Sequence, residues 1–152
     1  MSSFSYDEAF SSFLGNVTDD SFARMSEDNA TILLSEYLHK ALSNPYVVSL
    51  FTSLKLNDEE KTVEYELEHE YINDDDFVVN VVGKSMVCEW LSPRVCSTTL
   101  LSQAFLGKES KFFSQSSHLS ELSKLYKDTQ NEMRKLISDR DFMVNDYIRK
   151  KR

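Results

Sequence analysis

With 152 residues, 41% hydrophobic and 28% charged, the chain is long enough for one domain with a real core and too apolar to stay disordered. Three glycines and two prolines are few for a turn-rich all-β fold, so helices are favoured. The net charge of −8 is polarised: eleven basic residues against seven acids put residues 108–152 at +4, so residues 1–107 carry −12, a field that repels nucleic acid from most of the surface.

The start, MSSFSYDEAF, has no basic stretch followed by an apolar run, which predicts no signal peptide. No run approaches the roughly 18 apolar residues of a membrane span. Cys88 and Cys96 have no CxxC spacing and no nearby histidine pair, so two reduced thiols in a cytosolic product are expected ahead of a disulfide.

In chain order, residues 1–28 form an N-terminal arm carrying Phe4, Tyr6, Phe10, Phe13, Leu14, Phe22 and Met25. Leaving so many large apolar groups in water is costly, so a short helix near 7–14 and a docked arm are expected, on the chain's own body ahead of a neighbour. Residues 29–141 form the main domain. Ala30, Leu33, Leu34, Tyr37, Leu38, Ala41 and Leu42 fall at helical spacing over 29–43, with Asp28 or Asn29 as cap and Asn44-Pro45 as stop. A second helical piece is predicted with Val47, Leu50, Phe51 and Leu54 on one face.

Residues 62–71 change period. Val63, Tyr65, Leu67, His69 and Tyr71 alternate with Glu64, Glu66, Glu68 and Glu70, which predicts a strand with the carboxylates on one face. A Glu-rich helix is the competing reading. A lone strand leaves its backbone groups unpaired, so a partner strand is required, and a second copy of the protein is the first place to expect it.

Asn73, Asp74, Asp75 and Asp76 read as a helix start, with the acids complementing the dipole. Val78, Val82, Met86 and Trp90, flanked by Phe77, Val81 and Leu91, form the most apolar face of the chain, and this helix is expected to end at Ser92-Pro93. One or two helical turns over 99–106 close at Gly107. Residues 107–117 read as a loop. A long amphipathic helix follows from near His118, capped by Ser116 or Ser117, through Leu119, Leu122, Leu125, Thr129, Met133, Leu136 and Ile137, and breaks around 139–141. Residues 142–152 remain as a C-terminal tail. The fold class predicted is therefore mainly α: a helical bundle with one extended β segment or hairpin near 62–71 and docked terminal arms.

Motifs for chemistry are missing. His39, His69 and His118 lie on three different elements at no ligand spacing, and Gly107-Lys108 lacks the rest of a phosphate-binding loop. Asp74–Asp76 has no glycine turn of the kind calcium loops use, so a helix start is preferred to a metal site. No enzyme activity and no cofactor are expected. The C-terminal Arg149, Lys150, Lys151 and Arg152 permit three readings: a solvated tail, a nucleic-acid patch, or docking to a partner with Tyr147 and Ile148 as anchors inside a basic rim. Docking is favoured, because apolar anchors with a charged rim are what an interface needs.

Three segments carry a resemblance: FVVNVVGKSMVCEWLSPRV at 77–95, FLGKESKFFSQSSHLSELSKL at 105–125, and RKLISDRDFMVNDYI at 134–148. In that order they resemble small virion proteins of tailed bacteriophages, and most closely the head–tail connector, or adaptor, of the phage neck. The family pattern has a glycine where Asp141 stands. The resemblance implies a ring, commonly twelve-fold, of neighbouring copies under the portal protein. That ring seals the portal and offers a platform to the next neck or tail component. The implied location is the virion neck after assembly in the host cytoplasm, with no membrane contact. Phe142, Tyr147, Ile148 and the basic terminus would dock on the portal. Lys108, Glu109, Lys111, Phe112, Phe113 and Gln115 would form an inter-subunit or tail-side loop. Glu64, Glu66, Glu68 and Glu70 would line a passage through which DNA moves without sequence-specific binding. Two other classes stay open: a small helical adaptor or inhibitor that binds a cellular partner through its basic tail, and a phage assembly chaperone.

Overall fold

The computed structural model describes residues 1–17, 20–70, 74–104 and 109–144, of which 20, 21, 97–104, 109–119 and 144 are described by their backbone alone. Strand β1 (Ser2–Ser5) leads directly into helix α1 (Tyr6–Asn16). The junction is a reciprocal cap: Ser5 Oγ accepts from the Glu8 N–H at 3.2 Å, and Glu8 Oε2 accepts from the Ser5 N–H at 2.7 Å. A short α2 (Asp20–Arg24) precedes α3 (Glu27–Ala41). Ser26, two or three residues before the expected Asp28 or Asn29, caps α3 by accepting from the Asn29 N–H.

The next segment departs from its helical reading. Only Pro45–Val48 is helical (α4); Phe51–Asn57 is strand β2, paired antiparallel with β3 (Thr62–Leu67). Phe51 and Leu54 are three apart, which mimics a helix. A register shift between Phe51 and Ser53 removes the conflict, because the extra residue of the bulge puts Phe51, Leu54 and Leu56 opposite Leu67, Tyr65 and Val63 on one apolar face. The turn between them is held by Asn57 Oδ1, which accepts from the N–H groups of Glu59 and Glu60 at 3.1 and 3.0 Å.

The predicted strand at 62–71 is present over 62–67, but its expected partner is corrected. Strand β3 is central in the order β1-β3-β2 and pairs on both edges with strands of its own chain. The N-terminal arm supplies one of them, Ser2–Ser5, which is too short and too polar to announce itself as a strand. No second copy is needed to satisfy its backbone.

Two long helices complete the fold: α5 (Asp74–Ala104) and α6 (Glu109–Val144). Helix α5 does not stop at Pro93 but passes through it and absorbs the turns expected at 99–106 as far as Ala104; residues 105–108, with the expected close at Gly107, lie outside the described residues. Helix α6 begins at Glu109, so the expected loop is helical from that residue, and Ser116 and Ser117 lie inside the helix rather than at a cap. It also runs through Asp139–Asp141 without a break, so Phe142 lies on its last turn. At 36 residues it spans roughly 54 Å.

The core lies where α1, α3 and the sheet meet the first half of α5. Phe13, Leu38, Val47, Val63, Tyr65, Val78, Val82, Met86 and Leu91 are fully buried there, and Met133 and Ile137 of α6 close one side. The docking of the arm on its own body is thus realised by Phe4, Tyr6, Phe10 and Phe13. Gly83 marks the crossing of α1 over α5, because a Cβ there would sit 2.8 Å from the Ser12 Cβ. Gly83→Ala should lower stability in urea unfolding by about 1–3 kcal/mol through overpacking, despite alanine's better helix propensity. Adding Ser12→Gly should restore much of the loss; no recovery in the double variant would show that the two helices do not meet so closely.

Candidate interaction surfaces

The end of α6 is fixed by one side chain. Arg140 is 8% exposed and pairs with Asp74, 13% exposed, through Nη2 at 2.9 Å and Nε at 3.1 Å. Its Nη2 also donates to the His69 carbonyl, and the guanidinium lies over the Phe77 ring, 5.3 Å from the centroid. Arginine suits this task because its planar fork donates in two directions while its face rests on an aromatic ring. The clasp ties the last turns of α6 to the start of α5 and to the segment after β3. Two residues further on, Phe142 and Met143 are 62% and 58% exposed. Isolated exposed apolar residues are ordinary; two adjacent ones at a rigidly held helix end form a usable anchor.

Beside the clasp lies an open, polar cleft of about 550 Å³ lined by Ser2, Tyr65, Glu66, Glu70 and Asp74–Asp76 among others. Two of its carboxylates already have partners: Tyr65 donates its hydroxyl to Asp75, and Arg140 holds Asp74. Burial, then the bond to Asp75, pushes the Tyr65 phenol well above its ordinary value. Among the described residues no group of three or more His, Cys, Asp or Glu is placed to hold a metal ion.

A second polar cluster joins three elements at the hairpin tip. Asp58 Oδ1 accepts from the Tyr6 hydroxyl at 2.6 Å and lies 2.8 Å from His39 Nε2, while the Lys61 carbonyl accepts from the Tyr6 N–H at 2.9 Å. Lys61 takes a φ of 55°, the left-handed turn that aims this carbonyl at α1. The Tyr6 hydroxyl, then His39, hold the Asp58 carboxyl below its ordinary 3.8. A depressed carboxylate stabilises the fold above its unfolded value and loses that contribution as pH falls through the folded one. The stability gap between wild type and Asp58→Asn should therefore be constant above 3.8 and close below it. A gap that stays flat down to acid unfolding would mean the shared carboxylate is not formed in solution.

The residues singled out by sequence fall in three places. Glu64 and Glu66 are on β3, with Glu64 opposite Lys55; Glu68 and Glu70 lie beyond the strand's end, exposed. The four are therefore not one continuous row on a strand. Glu109, Lys111, Phe112, Phe113 and Gln115 share the first turns of α6, and Lys108 lies outside the described residues. Phe142 is exposed at the end of α6, whereas Tyr147, Ile148, Arg149, Lys150, Lys151 and Arg152 lie outside the described residues. Cys88 is buried and Cys96 exposed, both as free thiols; burial, then the Glu89 charge, pushes the Cys88 thiol up to about 11. Neither the Arg140 clasp nor the Asp58 cluster was visible in sequence, since their members stand 66 and 52 positions apart.

No helix among the described residues is long and apolar enough to cross a membrane. No protein-family model matches the chain, and no curated protein or solved structure matches it.

Proposed function

We propose that this chain is a non-enzymatic structural protein of the tailed-phage neck, a head–tail connector that meets the portal through its C-terminal end. The observation that carries the reading is the pair Phe142 and Met143, exposed on a helix end that Arg140 holds in place. Just beyond them the sequence continues with Tyr147, Ile148 and four cations, the composition of an anchored, basic-rimmed docking segment. The resemblance to neck proteins supports the same reading, because its three segments fall on α5, α6 and the residues that follow. Repetition around a ring would turn a modest contact per copy into a stable assembly.

The test mixes the full chain with purified portal particles and reads co-sedimentation and negative-stain images. The expected result is a ring of added density on the portal, lost when the chain is truncated after Asp141. Absence of any bound density with the full chain would end the connector reading. The glutamates at 64, 66, 68 and 70 support a DNA passage less well, given Lys55 opposite Glu64. Normal DNA retention and ejection after their replacement with glutamine would remove that role.

One observation favours a second reading. Strand β3 is paired on both edges within its own chain, so the fold does not require neighbouring copies. A small adaptor that docks one cellular partner through the same C-terminal end fits that independence. In that case the chain binds a host protein, ignores portal particles and is missing from purified virions.

A further inference from the structure

Pro93 sits inside α5 rather than at its end. Its ring has no N–H to give the Glu89 carbonyl and crowds the preceding turn, which costs an ordinary helix interior about 3 kcal/mol. The next residue adds contacts of its own around the proline, though not to the Glu89 carbonyl. Arg94 Nη1 donates to the Trp90 carbonyl at 2.8 Å, and the guanidinium stacks on the Trp90 indole with Cζ 4.1 Å from the ring centroid. Trp90 in turn meets Phe13 of the core edge-on at 6.5 Å. Arg94 therefore stitches the helix across the proline to the aromatic centre of the body.

Burial changes at the same place. Val78, Val81, Val82, Met86 and Leu91 of α5 are closed off from solvent. Of the α5 side chains described after Leu91, residues 92–96, none is buried, and on α6 none of 120–128 is buried before Thr129. The core ends within two residues of the proline. The fully buried side chains keep their neighbours in a bend here, whereas the half-buried Leu122 and Tyr126 of α6, which pack against the core, must shift with it; one backbone hydrogen bond of α5 is already missing.

We propose that Ser92–Pro93 is a pivot at which the outer segment of α5 changes direction relative to the body, with Arg94 as the clasp that holds the orientation observed. Helix bends concentrate at proline because the missing bond lowers the local resistance. The clasp is built for arginine: it needs a flat cation to lie on indole while one N–H reaches a carbonyl, which a lysine ammonium does not reproduce. A partner that binds the outer segment would then select one direction from a set, leaving the core closed. This inference does not depend on the connector reading.

The test measures spin-label distances in the full chain, with Cys88→Ala and Cys96→Ser as background. One label pair, at 32 and 104, spans the pivot; a reference pair, at 32 and 60, lies within the body. The distribution across the pivot is expected to be broader than the reference in the unmodified hinge and to narrow to the reference width in Pro93→Ala. Arg94→Ala and Arg94→Lys should both broaden it, with the reference pair unchanged. A distance across the pivot as narrow as the reference, or a width that Pro93→Ala leaves unaltered, overturns the pivot. A width that Arg94→Ala leaves unaltered overturns the clasp.

Discussion

Arg140→Ala should lower the unfolding free energy by about 3–5 kcal/mol, the loss typical when one partner of a buried ion pair is removed. The size follows from what is left behind. Asp74, 13% exposed, loses the guanidinium that meets it, the His69 carbonyl loses a donor, and the Phe77 face loses its cation. Because the clasp joins α6 to α5 and to the end of β3, its loss should also loosen the helix end that presents Phe142 and Met143. Urea unfolding followed by circular dichroism gives the energy, and a double-mutant cycle with Asp74→Ala isolates the pair. The doubly substituted protein should be less damaged than the sum of the single changes, since each single change already removes the same pair. A loss below about 1 kcal/mol for Arg140→Ala would be the size of a solvent-exposed pair and would mean that the clasp stands open in solution.

The second large effect is expected at Phe13. Its ring is fully buried and meets Phe22, Tyr37 and Trp90 at centroid distances of 6.0, 5.9 and 6.5 Å, so it joins α1, α2, α3 and α5 at one point. Phe13→Ala removes a large aromatic volume from a site that four elements hold apart, and such cavities cost about 3–5 kcal/mol. Phe13→Leu should cost less, because it fills part of the space. Thermal and urea unfolding would read both. A Phe13→Ala protein as stable as wild type would show that the first 16 residues are an appendage rather than part of the core. Their deletion would also leave one edge of β3 unpaired, so the truncated chain is expected to aggregate or fail to fold.

The same residues show how far local pattern carries. The apolar spacing in 29–43 and 74–91 placed α3 and the buried face of α5, since a period of 3.6 suits a helix with one face covered. Alternation over 62–67 selected a strand over a Glu-rich helix, and Val63 and Tyr65 are the buried set that the alternation implied. The N-terminal aromatics announced a docked arm because their hydrophobic area is too large to leave in water. For the candidate surface, Phe142 was legible as an apolar residue near a basic terminus.

Other features were settled only when distant parts of the chain met. Phe51 and Leu54 share a face through a bulge, and a bulge is set by pairing with β3 rather than by spacing within β2. Residues 2–5 became a strand because β3 had an edge to fill. Pro93 did not end α5; Trp90, one turn before it, is held against Phe13 of α1, far away in the chain. The break expected at 139–141 is absent because Arg140 is drawn into an ion pair with a residue 66 positions away. The amino-acid order by itself thus determined which faces are apolar, where the charge lies and which segments favour helix or strand, because those depend on neighbours within a few residues. Tertiary structure alone decided the strand partners and the clasp at the C-terminal end. Each of these rests on groups far apart in the chain, whose meeting no local periodicity encodes.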